Sequence, residues 1–347
     1  MFAAIKNRIE KNLPLFLRHI DKVYSLSTIS PLVFTSIRDF VLRDGKRIRP
    51  ILFVTGYLGF SKRADTPGLY TSALSIELLH DFMLVHDDII DKSEMRRNKP
   101  SMHAMLNNYL GHFKKVKFNG QDLAIVIGDV MYATAIHAFL SIREDMDRKE
   151  SALKKFIEAA IFTGSGEFIE LLCGTKAIER VTKDDVYKIY DYKTAYYTFS
   201  CPLAAGAILA GARAKDIRDL SRYGILLGRA FQIKDDILGM FSEEDKTGKS
   251  SLADLKEAKK TLLIWHAYNH ASPKGRRRIK AILEKNDAGR KDLLEMRHLI
   301  SESGALGYAE KEIVRFQKKA RTLLLDSGMR APYVQSLLEY SEKILGL

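Results

Sequence analysis

TSALSIELLHDFMLVHDDIIDKSEMRR occupies residues 71–97. No glycine or proline interrupts it, and its apolar residues recur at helical spacing, which predicts one long helix over about 71–96. Asp87, Asp88 and Asp91 stand inside that helix, and Arg96 and Arg97 follow at once. An α-helix turns about 100° per residue. Asp87 and Asp91 therefore share a face, with Asp88 to one side and His80 on nearly the same face. The flanking residues are too apolar for a fully exposed acidic patch. Carboxylates gathered in apolar surroundings are unfavourable unless cations neutralise them. Hard oxygen donors with room for water suit magnesium, which binds through one or two carboxylates plus substrate phosphates. Arg96 and Arg97 are then placed to hold phosphate oxygens.

The rest of the chain reads as helix too. Further helical patterns cover roughly 122–143, 150–173, 183–212, 214–241 and 293–326. Polar, glycine-bearing breaks fall near Gly45 and at 62–68, 117–122, 243–251 and 270–275. Alternating strand-like runs are scarce, and neither a fixed-period repeat nor a low-complexity linker is present. The expectation is one all-α domain spanning 1–347.

Composition narrows the class. Of 347 residues, 46% are hydrophobic and 29% charged, enough for a large core and against disorder. Cys173 and Cys201 cannot make a disulfide framework and lack metal-site spacing, so they are expected to be buried thiols in a cytoplasmic, reducing setting. The N-terminus carries Glu10 and has no signal-peptide pattern, and no uninterrupted apolar stretch is long enough to span a bilayer. The net charge of +13 would suit nucleic acid or phosphorylated substrates near anionic lipid. The most basic run, SPKGRRRIK at 272–280, lacks interleaved aromatics and reads as a solvated loop and helix start. No nucleic acid is expected as a partner, and peripheral membrane contact is left open.

A second cluster repeats the theme. FQIKDDILGMF, residues 231–241, sets Asp235 and Asp236 in another apolar helix, just after Gln232 and Lys234. KTGKSSLADLKEAKKT follows with Lys249 and Lys259, and YDYKTAYYTF upstream carries Lys193 and Thr194. Near the N-terminus, DGKRIRP groups Lys46, Arg47 and Arg49 around a helix start, with Pro50 suited to a first turn. Cations there can grip an anion together with free N–H groups. TGKSS is not a phosphate loop, because the spaced glycines and preceding strand are absent. Two carboxylate clusters on two helices, each with cations nearby, describe a site for metal-bridged polyphosphate. Two basic sets suggest two anionic groups.

In order and spacing, GKRIRP, HDDIIDKSEMRRNKPSMH, GDVMYATA, YKTA and FQIKDDILG…KTGKS…DLKEAKKT resemble the trans-isoprenyl diphosphate synthase family. The resemblance covers most of the chain. It implies an all-α fold of antiparallel helices around a central cavity, a homodimer, and isopentenyl diphosphate and an allylic prenyl diphosphate as substrates. It assigns Asp87, Asp91 and Asp235 to magnesium, three ions in all, with Asp88 and Asp236 in support. It assigns Arg96, Lys193, Thr194, Gln232, Lys249 and Lys259 to the allylic diphosphate, and Lys46, Arg49, His80 and Arg97 to isopentenyl diphosphate. Three positions depart from the family pattern: Gly239 replaces a third aspartate, Glu167 replaces a glutamine in the segment that ends at Glu170, and Asp44 replaces a glycine.

The implied reaction is ionisation, condensation and elimination, which requires no side-chain nucleophile. In the family a bulky residue just before the first aspartates stops chain growth. Phe82 and Met83 are the candidates, although ideal geometry puts only Met83 on the aspartate face. A geranylgeranyl product is expected, with farnesyl or longer products as alternatives. A terpene cyclase, a metal-dependent phosphohydrolase built on His86–Asp87–Asp88, and a non-catalytic partner subunit are the competing classes.

Overall fold

The computed structural model describes residues 1–63, 65–241, 253–285 and 287–346. Among the described residues the only strands are β1 (Met95–Arg96) and β2 (Lys99–Pro100), paired antiparallel with Met95 opposite Pro100. Helices make up the remaining regular structure, as the periodicity predicts. By packing, the chain divides into two compact units, residues 1–154 with 205–212, and residues 155–204 with 213–347.

The first unit contains α1 (Phe2–Tyr24), α2 (Leu26–Ile29), α3 (Pro31–Val41), α4 (Ile48–Phe60), α5 (Leu69–Ile90), α6 (Met102–Leu110), α7 (Gly120–Phe139) and the start of α8 (Met146–Thr175). Helix α5 is its axis and packs against α7, α4 and α1. Almost every side chain from Leu69 to Leu79 is buried, so this half of α5 is apolar all round. By contrast, α1 buries only one stripe, Ile5, Ile9, Leu13, Phe16, Leu17 and Ile20, at the spacing of one helix face. Helix α7 is long and apolar enough on average to cross a membrane, but 44% of that stretch is buried within the protein, and Asp122 and Asp129 interrupt it. It reads as a core helix of this unit.

The second unit contains the rest of α8, a short 3₁₀ turn (Ile178–Arg180), α9 (Lys183–Ile189), a π-helix (Tyr190–Ser200), the start of α10 (Cys201–Leu209), α11 (Ala214–Phe241), α12 (Ala253–Lys256), α13 (Leu262–His270), α14 (Pro273–Leu283), α15 (Arg290–Glu302), α16 (Ala305–Leu325) and α17 (Ala331–Leu345). Helix α11 is its axis and packs on the π-helix and α16. Two glycines let backbones close in on the π-helix. A Cβ on Gly166 of α8 would lie 2.4 Å from the Lys193 backbone nitrogen, and one on Gly228 of α11 would lie 2.3 Å from the Ala195 Cβ.

Three predicted helices end or break where the sequence pattern runs on. The helix expected to reach Arg96 stops at Ile90, and Asp91 caps it. The stretch 183–212 is divided by the π-helix. The stretch 293–326 is split at Gly304, whose φ of +73° glycine adopts without steric cost. The basic run at 272–280 begins a helix as expected. Ser272 caps it, Arg278 pairs with Glu295 and Lys280 with Glu179. Both cysteines are buried thiols.

Candidate active site

In the first unit, the last turns of α5 carry the first acidic cluster. One carboxylate oxygen of Asp87 lies within 4.8 Å of one from Asp91, and both residues are half-buried. Asp88, to one side of them, is fully buried. The hairpin β1–β2 folds Arg96 back onto this turn, where it bonds Asp88 and sits 3.3 Å from Asp87. The acid partners raise the Arg96 pKa against the opposing effect of burial. Arg96, expected to hold phosphate oxygens of the allylic diphosphate, here serves as counterion to Asp88 and Asp87.

A buried ionic network underlies the basic set. Arg47 takes a left-handed backbone (φ +51°) at the start of α4, and its side chain is completely buried. It donates to Glu10 at 2.9 Å, to Glu77 at 2.7 Å, and to the carbonyls of Val41 and Arg43 at 3.2 and 2.7 Å. That anchor leaves Lys46 exposed and Arg49 half-buried on either side of it. Arg97, also left-handed (φ +54°), reaches Asp81 at 3.3 Å and Glu77 at 3.9 Å. Left-handed non-glycine residues store strain and cluster at functional sites. Burial, and then the charge of Glu77, raises the pKa of Asp81, opposed by Arg97, Arg47 and Arg49. Burial and the four arginines Arg49, Arg97, Arg96 and Arg47 hold His80 well below the usual imidazole range, so it is neutral.

Phe82 and Met83 are half-buried on α5. The side chain of Phe82 meets α7. Its ring packs 4.7 Å from His86 and 5.2 Å from Tyr132 of α7, centroid to centroid. Gly128 of α7 makes room, since a Cβ there would fall 2.6 Å from His86 Nε2 and 3.5 Å from Phe82.

In the second unit, Asp235 is exposed and its neighbour Asp236 is buried. Thr194 of the π-helix donates to Gln232 at 2.7 Å, and Gln232 donates to Asp236 at 2.9 Å. Lys193 is held by Glu167 at 2.7 Å and Glu170 at 2.5 Å. One ammonium thus faces two carboxylates, so the extra negative charge at Glu167 is shared with Glu170 rather than balanced. Lys259 pairs with Glu257 at 2.7 Å. Lys249 lies outside the described residues. Asp44 is exposed in the turn before α4, and Gly239 is half-buried on α11.

The structure thus brings Asp87, Asp88, Asp91 and Arg96 together in one unit, and Thr194, Gln232 and Asp236 in the other. Sequence reading missed Arg47, Glu77 and Asp81 as parts of these networks, and Tyr190, whose hydroxyl donates to Asp236. A signal existed for Glu77 and Asp81, because two acids within the apolar stretch SALSIELLHDF demand cations.

Residues 30–300 match the polyprenyl synthetase family. The chain is 31% identical over 305 residues to the geranylgeranyl diphosphate synthase of Saccharolobus solfataricus, covering 87% of this chain and 84% of that protein. It is 33% identical over 284 residues to the geranylfarnesyl diphosphate synthase of Aeropyrum pernix, covering 81% and 83%. Among solved structures, geranylgeranyl pyrophosphate synthase from Corynebacterium glutamicum, complexed with isoprenyl diphosphate and magnesium, superposes with a TM-score of 0.88 at 25% identity over 98% of both chains. The chain belongs to the polyprenyl synthetase family, has the all-α isoprenoid synthase fold, and is a prenyltransferase of the trans-isoprenyl diphosphate synthase class.

Proposed function

We propose that this enzyme condenses isopentenyl diphosphate head-to-tail with an allylic diphosphate in a magnesium-dependent reaction, with geranylgeranyl diphosphate as product. One observation carries the reading: Asp87 and Asp91 present carboxylate oxygens within 4.8 Å of each other at the end of an otherwise apolar helix, backed by Arg96. That all-oxygen donor set fits a hard divalent cation that keeps part of its water shell. Asp235, exposed on α11, is the third metal carboxylate in this reading. Bound magnesium, three ions in this proposal, would supply charge neutralisation for the departing diphosphate.

The chain's own residues do the rest. Arg96, Lys193, Thr194, Gln232, Lys249 and Lys259 bind and orient the allylic diphosphate. Arg49, Arg97, Lys46 and His80 hold isopentenyl diphosphate with its double bond toward the allylic carbon. As the allylic C–O bond breaks, that double bond attacks, and the proton lost from the condensed product leaves to the released diphosphate. Phe82, Met83 and the packed ring of Tyr132 close off the end of the growing chain and exclude water.

Both units act in this reading as a single polyprenyl synthetase domain, 1–347, and the working form is a homodimer. Large apolar side chains support the dimer: Val126 on α7 is 57% exposed, and Ile161 and Phe168 on α8 are 60% and 63% exposed. The buried, unpaired thiols fit a cytoplasmic, reducing compartment. The test incubates purified protein with isopentenyl diphosphate and a labelled allylic diphosphate, with and without magnesium, followed by chromatography of the dephosphorylated products. A magnesium-dependent twenty-carbon alcohol is the expected result. Products formed from the allylic substrate alone would indicate a cyclase, and no diphosphate release would indicate a non-catalytic subunit.

A further inference from the structure

Tyr190 opens the π-helix and is almost wholly buried. Its hydroxyl sits where three segments of the second unit meet. It donates to Oδ2 of Asp236 on α11 and accepts the backbone N–H of Leu262 at 2.8 Å. Leu262 is the first residue of α13, so that N–H is one of the donors a helix cannot satisfy internally. Thr261 caps the N–H of Ile264 instead, at 3.4 Å. The other oxygen of Asp236 accepts from Gln232, and Gln232 accepts from Thr194. One relay therefore runs from the start of α13 through Tyr190 to Asp236 and on to Gln232 and Thr194.

The relay has a direction. Burial and the adjacent carboxylate hold the Tyr190 phenol well above its ordinary range, so it keeps its proton and donates. Asp236, anchored inward, fixes the rotation of α11 at this turn, and Asp235 next to it is thereby left facing solvent. Lys259 and buried Lys260 immediately precede Thr261, and Lys260 is itself tied to the carbonyls of Gly174 and Ala258. The same hydroxyl that orients the carboxylate pair thus ties down the end of the segment that carries Lys259.

We propose that Tyr190 is a positioning residue for the second acidic cluster, holding Asp236 and the α13 entry in the arrangement that receives a metal-bound diphosphate. The inference rests on the diphosphate reading above and adds to it a residue that touches neither substrate nor metal.

The experiment titrates full-length protein with magnesium and inorganic diphosphate by calorimetry, comparing wild type, Tyr190→Phe and Tyr223→Phe. Tyr223 is another buried tyrosine of the same unit, its hydroxyl bonded to the Leu337 carbonyl. It lies about 20 Å along α11 from Asp236. Tyr190→Phe is expected to weaken binding about tenfold, a loss typical of a hydrogen bond to a charged group, while Tyr223→Phe binds like wild type. The half-saturating magnesium concentration in the reaction should rise in parallel, with KM for isopentenyl diphosphate unchanged. In an Asp236→Asn background, where loss of the hydroxyl strands no buried charge, adding Tyr190→Phe should change the affinity less than twofold. Binding by Tyr190→Phe within twofold of wild type, equal weakening by Tyr223→Phe, or full additivity with Asp236→Asn would overturn the inference while leaving the diphosphate reading intact. Failure of wild type itself to bind magnesium diphosphate would overturn both.

Discussion

Replacing Arg47 with alanine isolates the buried network beneath the GKRIRP segment. The substitution removes hydrogen bonds to Glu10, Glu77 and the carbonyls of Val41 and Arg43. It also leaves the Glu77 carboxylate, which is buried on α5, with Arg97 at 3.9 Å as its remaining cation. Breaking a buried pair from one side costs about 3–5 kcal/mol, because the remaining charge is poorly compensated; Arg97, beyond hydrogen-bond reach of Glu77, offsets only part of it. The alanine must still adopt φ near +51°, so no strain is relieved. For a unit of this size the loss corresponds to a fall in Tm of roughly 6–20 °C. Urea and thermal unfolding followed by circular dichroism, in buffer free of ligands that would mask the effect, measure it. Arg47→Lys should recover little, since one ammonium group cannot span two carboxylates and two carbonyls. The double substitution Arg47→Met with Glu77→Leu should regain at least half of the lost stability, because it removes both charges together. A cost below about 1 kcal/mol for Arg47→Ala, or a double variant no better than the single one, would refute this account of the network.

Other perturbations probe the remaining pieces. Asp87→Asn should lower turnover by about two to three orders of magnitude and raise the magnesium requirement, read from initial rates across a metal titration. Phe82→Ala opens the space beside His86 and Tyr132, and longer dephosphorylated products are expected by chromatography; unchanged length would remove Phe82 from the stopper role. Gly166→Ala drives a Cβ to within 2.4 Å of the Lys193 backbone and should cost stability and turnover together, whereas Gly164→Ala, with nothing within 4 Å, should be neutral or slightly stabilising in the same melts. Burial, aided by the charges of His270 and Lys183, lowers His266 to about 4. The unfolded chain therefore takes up a proton there below about 6.5 that the native state refuses until about 4, so stability falls as pH drops through that window. His266→Phe, which keeps the stack on Tyr308, should flatten Tm against pH over the same range.

Much of this architecture is legible in the chain, for identifiable reasons. Helix α11 runs from Ala214 to Phe241 as its periodicity predicts, because a long polar run follows it and nothing within it breaks the pattern. The aspartates of α5 are legible because charge in apolar surroundings has few explanations. The break at Gly304 is not, because one glycine is tolerated within a helical pattern and the apolar spacing resumes on the far side. The end of α5 at Ile90 is equally hidden, since the hairpin beyond it is set by left-handed turns at Lys92, Arg97 and Asn98, residues other than glycine. Arg47 looks like one more cation among three in GKRIRP. Only the fold distinguishes the buried anchor from Lys46 and Arg49, because its partners Glu10 and Glu77 lie 37 and 30 positions away.

The wide spiral from Tyr190 to Ser200 makes chain length there as consequential as chemistry. Removing a single residue would let the backbone relax to ordinary α winding and would turn everything beyond the deletion by about 100°. Asp191 would lose its two-pronged grip on Arg229 or Thr194 its reach to Gln232, whichever side of the cut was allowed to move. Exchanges of segments with related chains should therefore preserve the number of residues across this stretch even where every side chain is changed.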